Sequence, residues 1–303
     1  MVERFTQGKL VWVCMKNPTS TEVQKVILDL SIPPILMMDL TTPVPKSSAV
    51  RAESSIKVTL DFPVVKRIDS GHQFEVKFII SKHSLVTVQY EEMEGIDRFR
   101  RQFEVATALR KKQKNITGAH LFISLMNNLY DTAISKLDYI ETQLTDIEAR
   151  IFKNNEKQMV VEISEVSKKL ISFRHIIRSH EDVFRDARQI FEALYPTVFS
   201  NDFQNIQGQY FLLLRRSNTL FESLTALRET NAAMLNTRQN EIMKTLTIMA
   251  FVTFPLTLFS SLFGMNTEST PIIGTPHDFW IIVGVMLFAA GSFTLFFKHK
   301  GWI

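Results

Sequence analysis

A series of residues near the carboxyl end of the chain recurs at spacings of three and four and could line a path for water and ions. These spacings place the whole series on one face of an α-helix. From Leu246 onward the face is first apolar, then small and polar, which suits either close helix packing or a water-filled path. Asn240 and Asn266 bracket this helix and favour the path, because helix packing does not require polar ends. The series consists of Asn240, Met243, Leu246, Ala250, Phe254, Thr257, Ser261 and Gly264.

The helix that carries this face is long and apolar enough to cross a membrane. None of the 35 basic and 31 acidic residues of the 303-residue chain falls within Thr245–Phe263 or Phe279–Phe297. At about 1.5 Å per residue, each window spans roughly 28 Å as a helix, close to the hydrocarbon core of a bilayer. Two buried helices of a soluble domain are the alternative, but they would not require basic residues at their flanks. The sequence therefore predicts two membrane spans.

The basic flanks also predict an orientation. Arg238 and Lys244 precede the first span, Lys298 and Lys300 follow the second, and the connecting loop 264–278 has no Lys or Arg. Because positively charged flanks favour the cytosolic side, we expect both termini in the cytosol and the loop outside, in the inner or plasma membrane. The first residues contain no apolar leader, so the long amino-terminal part is also expected in the cytosol.

Composition argues against several other classes of protein. A chain with 45% apolar residues can build a core, and a single cysteine, Cys14, excludes a disulfide scaffold. The net charge of +4 is too small to indicate nucleic-acid binding, and no such partner is expected. The sequence has no phosphate-binding glycine loop, serine elbow or zinc-protease motif, so neither an enzyme nor an organic cofactor is predicted.

Residues 1–95 are predicted to form a small α/β domain. A helix start at Asn17–Glu22 precedes the apolar run Val23–Leu30. Short or alternating apolar runs bounded by turn residues predict the strands. These runs are Leu10–Met15, Ile35–Met38, Ile56–Phe62, Phe74–Ile80 and Ser84–Tyr90.

Long helices are predicted for most of the remaining chain. Residues 96–199 should form an antiparallel helical pair, Gly118–Ile151 and Val160–Leu194, with a turn at Lys153–Glu156. Residues 200–263 should form one helix of about 95 Å whose last part, about 245–263, is the first span. Such a helix must pack along its length, and copies of itself are the nearest partners. The loop 264–278, the second span 279–297 and a basic cytosolic tail 298–303 complete the chain.

The end of the first span resembles the signature of a known family. Gly264-Met265-Asn266, directly after the uncharged window, is similar to the Gly-Met-Asn motif of the CorA magnesium channels and transporters. Upstream, Asn240–Thr247 and Phe254–Thr257 resemble the inner helix of that family, and Lys298–Ile303 resembles its basic-aromatic end. The amino-terminal half is similar more loosely, for example at Leu60–Pro63.

This resemblance implies an α+β membrane protein that assembles in lipid as a homopentameric funnel. It implies influx of hydrated Mg²⁺ driven by the membrane potential, with Co²⁺ and Ni²⁺ as further candidates. Five Gly264 carbonyls and five Asn266 side chains would form the selectivity filter, with Met265 between them. Leu246 and Phe254 match the hydrophobic constriction of the family.

The resemblance assigns further residues around the pore. Thr257 and Ser261 would face it, and Asn240 and Glu229 fall at its cytosolic mouth. Glu268 in the external loop would raise the local cation concentration, although a solvated loop residue is the alternative.

A regulatory cation site is also implied. The family closes when cytosolic Mg²⁺ binds between subunits, bridging an Asp of the amino-terminal domain to an acidic residue near the start of the long helix. Asp39 matches the first position, although it could be only a turn residue. At the second position this chain has Asn205, with Asp202 about one turn earlier. Glu229 is a further candidate for the regulatory cation site.

Two competing functions stay open at this point. One is a zinc-transporting relative, whose filter usually departs from Gly-Met-Asn. The other is a non-conducting scaffold anchored by two spans.

Overall fold

The computed structural model describes residues 1–44, 47–63, 74–108, 116–153, 156–265, 272, 274 and 276–302. The chain divides into two compact units, Met1–Arg228 and Glu229–Ile303. Helix α6, defined below, contributes residues to both units.

A six-stranded mixed sheet forms the centre of the first unit, in the spatial order β1-β2-β6-β5-β4-β3. Strands β2 and β6 pair in parallel, and all other neighbours are antiparallel. The predicted strands at residues 10–15, 56–62, 74–80 and 84–90 are confirmed, whereas the two edge strands β1 and β3 were not predicted. The strands are β1 (Val2–Gln7), β2 (Leu10–Lys16), β3 (Ser48–Ala52), β4 (Ser55–Phe62), β5 (Phe74–Ile80) and β6 (Ser84–Gln89).

The predicted strand at Ile35–Met38 is wrong, because residues Pro34–Met37 form a 3₁₀ turn. Pro33 precedes the turn and Pro34 begins it, and proline lacks the N–H group that a strand would need for pairing. The turn buries Leu36 completely in the core beside the sheet.

Seven helices occur in the described residues. Helix α1 starts at a capping box, in which the Thr19 side chain accepts from the Glu22 N–H and Glu22 accepts from the Thr19 N–H. The predicted long helical pair is confirmed as α3 and α4, and Arg150 of α3 forms two 2.7 Å hydrogen bonds with Glu162 of α4. The predicted turn between them lies partly outside the described residues. The helices are α1 (Ser20–Leu30), α2 (Glu94–Ala108), α3 (Gly118–Ile151), α4 (Glu156–Leu194), the single turn α5 (Pro196–Val198), α6 (Gln204–Phe263) and α7 (Asp278–His299).

The predicted long helix is confirmed from Gln204 to Phe263 and continues through Pro255. A π-helical turn, Phe199–Phe203, precedes it, so the helix begins four residues later than the predicted residue 200. Sixty residues at about 1.5 Å each give α6 a length of about 90 Å.

A buried histidine connects the sheet to α3 and α4. His180 has no exposed surface, and its Nε2 donates to the Asp61 carbonyl at 2.6 Å. The Tyr130 hydroxyl then donates to His180 Nδ1 at 2.9 Å, an arrangement that requires a neutral ring. Burial lowers the pKa of His180 to about 4, because the charged ring cannot be hydrated there.

Replacing His180 by Gln should therefore remove a pH-dependent loss of stability. Because the folded-state pKa lies below the ordinary value of 6.5, the unfolded chain binds a proton first as the pH falls. Relative to His180→Gln, the free energy of unfolding of the natural chain should fall by up to about 3 kcal/mol between pH 6.5 and pH 4. Apparent Tm values of the full chain in detergent across this range check the direction of the difference.

The exposed His83 supplies the matched control, since it lies at the surface and His83→Gln should follow the pH curve of the natural chain. The Asp61 carboxyl, whose pKa is raised to about 6 by burial and the nearby Glu75 charge, stabilises in the opposite sense as the pH falls. Asp61 is present in both the natural chain and His180→Gln, so its contribution cancels in the difference between their free energies of unfolding. A difference that stays constant with pH would show that His180 does not fold as the neutral ring.

Candidate functional site

The predicted series of polar and apolar residues forms one exposed face of α6. At about 100° per residue, Asn240, Met243, Leu246, Ala250, Phe254, Thr257, Ser261 and Gly264 fall within about 120° of the helix circumference. We call the face formed by these residues the stripe. Phe254 is 73% exposed and Leu246 55% exposed, so the second unit of this chain leaves the stripe largely uncovered.

The opposite face of α6 is the one that is partly covered within the second unit. Ile248, Val252, Phe259 and Phe263 are half-buried and lie on the side of the helix away from the stripe. The ring of Phe251, which lies beside the stripe and not opposite it, contacts that of Phe297, the buried residue of α7, at a centroid distance of 6.0 Å. The stripe itself therefore remains mostly uncovered within the second unit.

Two threonine hydroxyls on the side of the stripe form hydrogen bonds within their own helix. Thr257 donates to the Thr253 carbonyl at 2.9 Å, and Thr247 donates to the Met243 carbonyl at 2.7 Å. A threonine bonded in this way has no unpaired donor in an apolar environment, yet its oxygen can still accept from water. These two threonines therefore leave no unpaired donor in the membrane, and Thr257 can also line a wet path.

The start of the predicted filter follows the last turn of α6. The helix ends at Phe263, and the Gly264 N–H donates to the Ser260 carbonyl at 3.0 Å. A side chain at position 264 would place its Cβ 3.0 Å from that same carbonyl oxygen, so a larger residue would fit there only with a small shift of the backbone. Met265 is 52% exposed. Asn266 and Glu268 lie outside the described residues.

The regulatory candidates are spread over both units. Asp39 follows the 3₁₀ turn in the left-handed conformation, with φ 69°, and its side chain is exposed. Asp202 is half-buried in the π-helical turn, and Asn205 is exposed in the first turn of α6. Glu229 belongs to the second unit and is exposed on α6. Among the described residues of one chain, no three His, Cys, Asp or Glu side chains are grouped as metal ligands.

The sequence interpretation missed a buried polar cluster beneath Asp39. Lys77 is 1% exposed, and its Nζ forms an ion pair of 3.0 Å with Glu75. The same ammonium donates to the Asp39 carbonyl and, at 2.9 Å, to the Tyr90 hydroxyl. The available signal was the alternation of charged and apolar residues in Phe74–Ile80, a strand that is buried on both faces.

The fold is that of a two-span membrane protein of the α+β class. It combines a mixed sheet domain, a long helix whose last part is an uncharged span, and a second span. Both α6 and α7 are long and apolar enough to cross a membrane. A family model described as CorA-like Mg²⁺ transporter protein matches residues 7–299. The chain therefore belongs to the CorA-like Mg²⁺ transporter family, as the Gly-Met-Asn resemblance predicted.

Individual relatives are similar to this chain over almost its full length. The cobalt/magnesium transport protein CorA of Methanocaldococcus jannaschii is 21% identical over 319 residues, covering 99% of this chain and 93% of the relative. The protein of the same name from Thermotoga maritima is 21% identical and covers 96% and 83%. The solved complete structure of the CorA magnesium transporter from M. jannaschii aligns with a TM-score of 0.82 at 17% identity, covering 99% of this chain and 93% of that chain. The last comparison confirms the predicted fold of the single chain.

Cysteine labelling should distinguish the stripe from the opposite face. The native Cys14 is buried, and Cys14→Ala supplies a background without thiols. In liposomes, Ser261→Cys should react with a charged thiol reagent at least about tenfold faster than Phe259→Cys, because thiolates form only in contact with water. Positions 259 and 261 lie at nearly the same depth, so depth is controlled. Equal rates at the two positions would show that the stripe does not line a wet path.

Proposed function

We propose that this chain forms a homopentameric channel through which hydrated Mg²⁺ enters the cytosol, with both termini on the cytosolic side. The observation that carries the proposal is the uncovered, uncharged stripe of α6 that leads to Gly264-Met265-Asn266. Family membership supports the same conclusion. Five copies of α6 around one axis would cover the stripes and enclose a continuous path.

The chemistry of the filter suits an ion that keeps its water. Mg²⁺ loses its first hydration shell reluctantly, so a protein that conducts it does best to bind those waters. Carbonyl oxygens of Gly264 and amide groups of Asn266 can do this without a formal charge, and a neutral site releases the ion easily. Met265 lies between them, and Glu268 would add negative potential at the entrance.

The apolar part of the stripe suits a gate. Rings of Leu246 and Phe254 side chains would close the path by excluding water, while Ala250 between them leaves more space. Thr257 and Ser261 would then connect the gate to the filter with hydroxyl groups. Met243 and Asn240 would line the path toward the cytosol.

The driving force proposed here is the membrane potential. Neither uncharged window contains an Asp, Glu or His, so the spans lack the groups that a proton relay uses. A potential of 100 mV is worth about 2.3 kcal/mol per unit charge and hence roughly 5 kcal/mol for a divalent ion. This is enough to drive influx without a second substrate.

Asp39 is proposed as a regulatory ligand. It would hold a cytosolic Mg²⁺ together with Asp202 or Asn205 of a neighbouring copy, and Glu229 would attract cations near the cytosolic mouth. The exposed side chain of Asp39 supports this role. Asn205 is a weaker ligand than a carboxylate for Mg²⁺, so we expect inhibition only at a high cytosolic concentration.

Ion flux into liposomes tests the proposed function. The natural chain should conduct Mg²⁺ when the interior is made negative with valinomycin, and a proton gradient alone should have no effect. Asn266→Ala should reduce this flux at least about tenfold, because it removes the amide that holds the hydrated ion. Co²⁺ and Zn²⁺ are compared under the same conditions.

Asn128→Ala serves as the matched control, because it makes the same substitution on α3 in the first unit. Flux that requires a proton gradient and prefers Zn²⁺ would assign the chain to a zinc transporter instead. A folded protein with no flux of any of the three ions would favour the scaffold. Undiminished flux in Asn266→Ala would remove the filter from the account.

A further inference from the structure

Residues 38–44 run across the sheet and are held there by buried polar side chains. Lys57 Nζ donates to the Met38 carbonyl at 3.0 Å, and Lys77 Nζ donates to the Thr42 carbonyl at 2.6 Å. From the other direction, the Val44 N–H donates to Glu75 Oε2 at 2.8 Å. We call residues 38–44 the Asp39 segment.

Lys77 and Tyr90 hold the backbone around Asp39. The Asp39 carbonyl accepts from Lys77 Nζ. The Tyr90 hydroxyl has one proton and faces three carbonyls of the segment, those of Thr42 at 3.0 Å, Leu40 at 3.1 Å and Asp39 at 3.2 Å. The backbone of Asp39 is therefore fixed from below, while its side chain remains exposed.

This arrangement costs more free energy than is needed for a segment that only covers the sheet. Lys77 and Glu75 are 1% and 3% exposed, and removing such a pair of charges from water costs more than burying apolar residues of similar size. Asp39 also adopts a left-handed conformation, which is uncommon for residues other than glycine. Left-handed strain of this kind persists where the surroundings determine it, and it is concentrated at functional positions.

We propose that Lys77 and Tyr90 are positioning residues for the Asp39 carboxylate. Lys77 binds the carbonyl of Asp39, and Tyr90 binds within the carbonyl group of Asp39, Leu40 and Thr42. Together they hold the backbone of Asp39 left-handed and set the direction in which its side chain leaves the surface. The ligand of this carboxylate would be a divalent cation shared with a second copy of this chain. A carboxylate that is already oriented loses less conformational freedom when it binds the cation. This proposal rests on the regulatory role of Asp39 proposed above.

Tyr90→Phe in the full-length protein provides the test, because it removes one hydroxyl and keeps the ring. Flux is measured in liposomes as a function of Mg²⁺ on the side of the first unit. The Mg²⁺ concentration for half-inhibition should rise about three- to tenfold, the range expected for the loss of one hydrogen bond. The flux at low Mg²⁺ should stay unchanged, which a general loss of structure would not allow.

Tyr195→Phe is the matched control. Its hydroxyl also bonds backbone carbonyls of the first unit, those of Ser54 at 3.3 Å and Ile80 at 3.5 Å, but it does not bond the Asp39 segment. This variant should keep the natural half-inhibition concentration. If Tyr90→Phe does not fold, Lys57→Met tests the same idea, because it frees the Met38 carbonyl next to Asp39 and should raise that concentration as well.

Asp39→Asn separates the two proposals. If it relieves inhibition but Tyr90→Phe behaves like Tyr195→Phe, Asp39 is a regulatory ligand and the positioning role is refuted. If Asp39→Asn leaves inhibition unchanged, the regulatory role fails and the positioning proposal fails with it. A second readout is the increase in apparent Tm on adding Mg²⁺, which should be smaller in Tyr90→Phe than in Tyr195→Phe.

Discussion

The structure depends on one constraint, namely that a helix in lipid must find a partner for every face that is not purely apolar. The stripe on α6 carries Thr257, Ser261 and Gly264 in a region without charge. The other span of the same chain packs near Phe251, and the half-buried residues of α6 lie away from the stripe. In the proposed pentamer, other copies of α6 with water between them would satisfy this constraint and create a path for ions at the same time.

In the first unit a comparable constraint applies to buried charge. One face of the sheet has two halves. Apolar residues around Val13 and Val86 cover the first half, and the second half carries Lys57, Glu75 and Lys77. These charges are satisfied largely by the backbone of the Asp39 segment. The buried charges of the sheet thus hold the Asp39 segment in place, and this segment presents the proposed regulatory carboxylate.

Hydrophobic periodicity predicted the long elements well, because each of them presents one regular face to a core or is apolar throughout. The helices α3, α4 and α6 follow from apolar spacings of three and four, and the spans follow from the absence of charge. Pro255 did not end α6 in the structure, although proline removes one hydrogen bond from the helix. The edge strands β1 and β3 are half-exposed and polar, as in Val2–Gln7, so they gave no comparable pattern.

The candidate site was predictable only in part, for a physical reason. The stripe is local in sequence, since residues 240–264 lie on one helix, and the spacing alone places them together. The cluster of Lys77, Tyr90 and Asp39 joins β5, the end of β6 and a turn, so only the fold brings these residues into contact. Ile35–Met38 shows the same limit, because two prolines before an apolar run can precede a turn as well as a strand.

Determining the structure of the purified protein in lipid nanodiscs tests the central claim most directly. We expect five protomers, with the stripe of each α6 between residues 240 and 264 facing a common axis and α7 on the outside. A particle of one or two protomers, or an assembly in which Phe254, Thr257 and Ser261 face lipid, would contradict it.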